Sequence, residues 1–400
     1  MSLVYADNNA TTPVAPEVRD AMRPALESDW FNPSSMYEAA RRTAVLLAQA
    51  RADVAAFLGA PSPAEILFTS CATESNTTAI FGTAAANPSR RHIVSSAVEH
   101  PAVLEPLREL QRRGYEVTLL PVDRQGRLSL PDLVRAVRPG ETLLVSLMHA
   151  NNESGVVFPI ADAARLVKAA DPEILFHTDA TQSVSKLPVD LSGDFAQVDL
   201  LSFSGHKMHA PKGVGALFVR KGTPVRPFLY GGHQESGRRG GTENLPHILA
   251  LAAACRLAKT HEPRLPELAA QRDRLQNDLL RLIPFTEVNG IDAPRTPNTL
   301  SLSFHAVEGE AILYALDAQG ICASTGSACS SGSLEPSHVL RAMNVPFAAM
   351  HGSLRLSFSV YNPPSDYDRI REVLPAVIAS LRRLSPYWDD AANAPRSLDA

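Results

Sequence analysis

A chain of 400 residues, 45% hydrophobic and 20% charged, has material for a large core and two or three domains. Its net charge of -4 gives no electrostatic case for nucleic acid or an anionic membrane surface, and no apolar run approaches the roughly 18 residues that span a bilayer. The opening Met1-Ser2-Leu3-Val4-Tyr5-Ala6-Asp7 lacks the basic segment of a signal peptide, and the four cysteines make neither a disulfide framework nor a C-x-x-C pair; the expectation is a cytoplasmic enzyme with reduced thiols.

In chain order, short β-rich runs at 65–68, 92–95, 116–120, 142–148, 174–177, 199–203 and 216–219 alternate with helical stretches such as 102–113, closed by Gly114, and 160–170. Several runs are apolar throughout, as Leu143-Leu144-Val145 is, which is the pattern of strands covered by helices on both faces. The alternation predicts an α/β fold with a mostly parallel sheet between helix layers. After Gly241 the pattern changes to two long helices, 245–259 and 265–282, the second with Leu268, Leu275, Leu279 and Leu282 on one face. A smaller α+β unit follows: strand 299–304, helix 309–319, strand 354–359 and helix 366–384. The predicted division is a large domain over 15–260, a small domain from 1–14 and 261–388, and a loose Ala/Asp/Pro/Ser tail over 389–400.

The chemistry-bearing residues cluster at predicted strand ends. Ser202-Phe203-Ser204-Gly205-His206-Lys207 leaves a strand and enters the glycine-rich turn Pro211-Lys212-Gly213-Val214-Gly215. In open α/β sheets ligands sit beyond the carboxyl ends of strands, and a lysine there is placed to form a Schiff base. Ser204 and His206 flank it and suit a phosphate. Taken alone, Lys207 reads as a surface lysine that ends a strand, and only its company changes that reading. Asp179 follows a second strand; a carboxylate there can pair with a protonated pyridine nitrogen, the partner that makes pyridoxal 5'-phosphate an electron sink. A third strand runs into Thr69-Ser70-Cys71-Ala72-Thr73-Glu74-Ser75-Asn76, where Thr73 and its neighbours open a helix whose free N–H groups favour a phosphate. A fourth leads to Glu99-His100-Pro101, whose imidazole can stack on a planar ring. Together these residues describe a cofactor cleft.

With those residues in view, the chain resembles the cysteine desulfurases of the class V aminotransferase family, nearest their nitrogen-fixation type. The likeness runs from Tyr5-Ala6-Asp7-Asn8-Asn9-Ala10-Thr11-Thr12 to His351-Gly352-Ser353-Leu354-Arg355. It is most specific over Ser327-Ala328-Cys329-Ser330-Ser331-Gly332-Ser333-Leu334-Glu335-Pro336-Ser337-His338-Val339-Leu340-Arg341. The resemblance implies an aspartate-aminotransferase-like fold with a seven-stranded sheet, a homodimer, and pyridoxal 5'-phosphate as cofactor. It implies that Lys207 carries the cofactor, His100 lies over the ring and assists proton transfers, Asp179 faces the pyridine nitrogen and Gln182 the ring oxygen. Ala72, Thr73, Ser204 and His206 are implied for the phosphate, Thr242 for the phosphate of the partner subunit, and Asn152 beside cofactor and substrate. Arg355 is implied for the substrate carboxylate. Gly205 and Gly240 stand where the family commonly has bulkier small residues, and Thr325 and Ser330 are conservative loop changes.

Cys329 lies in a run of small residues without an apolar anchor, a loop expected to move and so to carry a thiol between cleft and surface. The implied reaction converts L-cysteine to L-alanine and leaves the sulfur on Cys329 as a persulfide, with an iron–sulfur scaffold or another sulfur-acceptor protein as partner. Cys71, Cys255 and Cys322 read as small packing residues, and Cys322, Cys329 and His338 lack zinc-like spacing, so no metal is expected. Arg355 alternates with apolar neighbours and reads either as a strand's solvated face or as a buried carboxylate fork. A selenocysteine lyase, another class V aminotransferase and a non-catalytic sulfur-relay scaffold are the alternatives.

Overall fold

The computed structural model describes residues 3–325 and 337–396. After β1 (Val4–Tyr5) come the seven strands of the main sheet: β2 (Ile66–Thr69), β3 (His92–Ser96), β4 (Glu116–Leu120), β5 (Thr142–Met148), β6 (Leu175–Asp179), β7 (Leu200–Ser204) and β8 (Gly215–Val219). Their spatial order is β2-β8-β7-β6-β5-β3-β4. The pairs from β7 through β4 are parallel, and β8 runs antiparallel to both of its neighbours. The α/β fold and seven strands expected from the sequence are present, each strand within two residues of its predicted limits.

The apolar runs are explained by burial on two sides. Alternate residues of a strand point to opposite faces: Phe68, Val94, Val145, Phe176, Leu201 and Phe218 join one core, while Leu67, Ile93, Leu144, Leu175, Leu200 and Leu217 join another. The first core is covered by helices Glu38–Leu58 and Leu245–His261, through residues such as Val54, Leu58, Ile248 and Leu251. The second is covered by helices Ala72–Ala86 and Pro101–Arg112, through Ala79, Ile80, Val103 and Leu107. Each Val, Leu, Ile or Phe side chain among them, fully buried, contributes about 1.5–3 kcal/mol.

A separate core lies under an antiparallel sheet of β9 (Thr286–Val288), β10 (Thr299–Phe304) and β12 (Ser353–Ser357), with β10 central. β11 (Ile321–Cys322) pairs in parallel with β1, and Val4 and Ala6 belong to this core. Two findings differ from the sequence reading. Helices His338–Ala342 and Phe347–Met350 were expected with the small domain, yet Val339, Leu340, Met343 and Ala349 are buried in the core of the main sheet. The tail is not loose up to 396: Trp388–Asp389 pairs with Ala394–Pro395, and Trp388 is buried edge-on to Phe285 and beneath Arg382. The aromatic anchor makes the difference, because an indole ring buries enough surface to fix a short hairpin.

Candidate active site

β2, β3, β6 and β7 end on the same side of the sheet, and the residues that follow them surround a cleft of about 290 Å³. Ala72, Thr73, His100, Asn152, Asp179, Gln182, Ser204, His206, Lys207 and Arg355 all line it. Ten of the sequence-derived candidates therefore meet in one place. Thr242 is exposed and stands apart from this lining. Cys329 lies outside the described residues.

Lys207 closes the short 3-10 turn Gly205–Lys207 directly after β7. Its Nζ donates to the carbonyls of Asn9 at 2.8 Å and Ala10 at 2.7 Å. Those carbonyls are presented by an N-terminal strap: Asn8 and Asn9 bond Ser357 at the end of β12, and the Thr12 N–H donates to the His206 carbonyl. Residue 215, the first of β8, is glycine where β7 and the start of helix Ala72–Ala86 come close. A Cβ there would stand 2.7 Å from the Phe203 carbonyl oxygen and 2.9 Å from the Cys71 carbonyl carbon.

Asp179 is the last residue of β6 and almost fully buried. One oxygen accepts from Asn76 Nδ2 at 2.7 Å and the other from the Thr181 N–H at 2.9 Å. His100 caps helix Pro101–Arg112, its Nδ1 accepting from the Ala102 N–H. That bond assigns the neutral ring its proton at Nε2. Burial holds its pKa below the usual histidine range, with Asp179 opposing that shift and Lys207 adding to it. His206 is pushed down to about 4, first by burial and then by Lys207 and Lys212.

The phosphate side of the cleft offers two features that an anion answers. Helix Ala72–Ala86 begins at Cys71 with no side-chain cap, so its first N–H groups and the dipole face the cleft. Among the described residues, Ser204 Oγ is fully buried without a partner, an expensive condition that a phosphate oxygen would relieve. Across the cleft, Arg355 is 3% exposed, which decides for a buried fork over a solvated strand face. Its Nη1 donates to the Asn152 carbonyl at 2.9 Å and its Nη2 to Asp7 Oδ1 at 2.8 Å. The Arg355 main chain also bridges Ser324.

An amine at one sheet end, a carboxylate at another, an uncapped helix start and an arginine opposite suit a phosphorylated pyridine and an amino acid. The profile described as aminotransferase class-V matches residues 4–370. The chain belongs to that family. Within it, this member is 48% identical over 393 residues to a Trichormus variabilis protein named cysteine desulfurase 2, covering 98% of this chain and 97% of that one. It is 47% identical over 396 residues to the cysteine desulfurase NifS of Azotobacter vinelandii, covering 99% and 97% respectively. A solved structure titled NifS-like protein superposes with a TM-score of 0.89 at 36% identity, over 95% of this chain and all of that one. Family members of this kind are pyridoxal-phosphate enzymes.

Sequence reasoning missed several contributors. Asn76 carried a signal, since it lies three residues beyond Thr73 on one helix face. Asp7 stood in the N-terminal motif without a role. Asn9 and Ala10 act through main-chain carbonyls, which leave no side-chain signature. Glu99 is fully buried beside His100; Ser96 Oγ at 2.7 Å and the Met148 N–H at 2.9 Å donate to one of its oxygens, and burial pushes its pKa up to about 8. Glu153, also buried, is pushed up to about 7 and accepts from Ser337 Oγ, the cap of helix His338–Ala342. No helix among the described residues is long and apolar enough to cross a membrane.

Proposed function

We propose that this protein is a cytoplasmic cysteine desulfurase that holds pyridoxal 5'-phosphate, converts L-cysteine to L-alanine, and passes the sulfur to Cys329. The observation that carries the reading is the meeting of Lys207, Asp179, Ser204 and the uncapped start of helix Ala72–Ala86 around one cleft, with Arg355 opposite. The names of the full-length relatives agree with it.

The donor set fits the cofactor. Ala72, Thr73, Ser204 and His206 would hold the phosphate, Asp179 would pair with the pyridine nitrogen, Gln182 would bond the ring oxygen, His100 would lie at the ring, and Lys207 would be the attaching amine. When bound, pyridoxal 5'-phosphate supplies the electron sink that accepts the charge left by a departing Cα proton. The protein's own groups do the rest. Arg355 and Asn152 orient the substrate carboxylate and amino-acid backbone. Lys207 Nζ takes the proton from Cα and returns it, an amine being suited to that exchange once lifted from bulk water. Asn76 and the Thr181 N–H keep Asp179 aimed. The thiolate of Cys329 forms a bond to the substrate sulfur as the Cβ–S bond breaks, and Cβ acquires a proton to give alanine. The persulfide left on Cys329 is the cargo for an acceptor.

The working unit is a homodimer in which Thr242 reaches the phosphate of the partner subunit; its exposure away from its own cleft supports this. The acceptor is an iron–sulfur scaffold protein serving nitrogenase, in keeping with the similarity to NifS. Cys329→Ser tests the assignment: the variant should keep the yellow cofactor and form no persulfide by mass spectrometry after cysteine treatment, whereas wild type gains one sulfur at Cys329. Full sulfide release by the variant would refute the role of Cys329.

A further inference from the structure

Lys186 is a partly buried amine that the reaction does not use. The segment after β6 is helically wound: the Val184 N–H donates to the Ala180 carbonyl and the Lys186 and Leu187 N–H groups to the Ser183 carbonyl. Four residues beyond Gln182, Lys186 is thereby brought over it, and its Nζ donates to Gln182 Oε1 at 2.9 Å. On the other side, Gln182 Nε2 donates to the Asn9 carbonyl at 3.0 Å, the same carbonyl that Lys207 bonds. A lysine head group carries three donors when charged, and a main-chain carbonyl only accepts. Reversing the carboxamide would set donor against donor at Lys186 and acceptor against acceptor at Asn9. Both neighbours therefore select one orientation, and it leaves the second N–H of Nε2 unspent on a residue that lines the cleft.

We infer that Lys186 is a positioning residue that locks the Gln182 carboxamide so that its nitrogen, never its oxygen, meets the cofactor's ring oxygen. The inference rests on the pyridoxal-phosphate reading and adds the group that sets the polarity of that contact. A donor to the ring oxygen stabilises its anionic form and weakens that oxygen's hold on the Schiff-base proton, so the Lys207 linkage loses its proton more readily. Lys207, Arg355 and His209 act on Lys186, and Asp190, Lys259, His261, Glu262 and Arg295 line the same clefts; with burial as the leading cause, Lys207 and Arg355 press its pKa down to about 7. Without its charge the amine still keeps two N–H donors for Gln182 Oε1, and the Asn9 carbonyl selects the same carboxamide orientation in either state.

The test is a spectrophotometric pH titration of the cofactor-loaded protein, reading the Lys207-linked chromophore in wild type, Lys186→Met, Lys186→Gln, Gln182→Leu and Lys186→Met/Gln182→Leu. Lys186→Met and Gln182→Leu should each raise the linkage pKa by about one unit, tenfold in proton affinity. The double variant should go no further than Gln182→Leu alone, because the lysine works through the glutamine. Lys186→Gln, neutral but still a donor, should stay near wild type. The inference is overturned if the Lys186→Met shift persists in full on the Gln182→Leu background. An equal shift in Lys186→Gln, or none in Lys186→Met with the chromophore intact, overturns it as well. A wild-type protein that develops no Lys207-dependent chromophore would instead refute the cofactor reading and take this inference with it.

Discussion

Replacing Arg355 with lysine separates the loss of charge from the loss of fork geometry. A guanidinium has five N–H donors, and here Asn152 and Asp7 each take one. Three remain, among them the Nε–H, which is buried without a partner among the described residues; that suffices for a two-point grip on a carboxylate. A lysine has three donors, and keeping both protein partners leaves one for substrate. The variant should lose one charge-assisted bond to the substrate, about 2 kcal/mol, or roughly thirtyfold in kcat/KM for L-cysteine. The assay is sulfide release in the presence of a thiol reductant by cofactor-loaded protein, run in parallel with cysteamine, which is cysteine without its carboxylate. Wild type should strongly favour cysteine, and the ratio of the two kcat/KM values should fall by the same thirtyfold in Arg355→Lys. A variant that loses activity equally towards both thiols would show that Arg355 holds the fold together and does not read the carboxylate.

Asn76→Ala removes the 2.7 Å bond to Asp179 and leaves the carboxylate steered by the Thr181 N–H alone; cofactor affinity should weaken about tenfold, measured by equilibrium dialysis. Unchanged affinity would mean that Asp179 needs no such guide. The buried acids predict a stability profile with two limbs. Glu99 and Glu153 have pKa values raised to about 8 and about 7, so the folded state binds more protons than the unfolded chain. Their stabilisation is complete below about pH 4.5 and is lost as pH rises through 7–8. His149, His177, His206 and His209, each lowered to about 4 chiefly by burial, contribute the opposite limb, present above about pH 6.5 and lost as pH falls towards 4. Glu99→Gln should flatten the alkaline limb of a urea-midpoint profile and spare the acid one. An unaltered alkaline slope would count against a protonated Glu99.

Much of the large domain was legible because its signals are local. Runs such as Leu143-Leu144-Val145 declare strands buried on both faces, and the ends of β2, β3, β6 and β7 announce where the cleft lies. What escaped depends on partners distant in sequence. Nothing in residues 338–350 says which of two cores their apolar side chains will enter, and Val339 and Leu340 chose the larger. The place of β8 between β2 and β7, antiparallel to both, follows from packing and not from its own composition. Gly240 looked like a minor departure; a Cβ there would lie 2.4 Å from Gly231 Cα, so two backbones that cross at close range require it. Glu99 could not be assigned from sequence because its protonation is set by the water it lacks.

The strap formed by residues 7–12 joins two stretches of chain that are made far apart in time. Asn9 presents its carbonyl to Lys207 while its own N–H is held by Ser357, 348 positions onward. During translation the main sheet can assemble well before that serine leaves the ribosome, but the amine at 207 has no finished surroundings until then. Competence to bind the cofactor correctly thus waits on residues made long after the strand that carries Lys207.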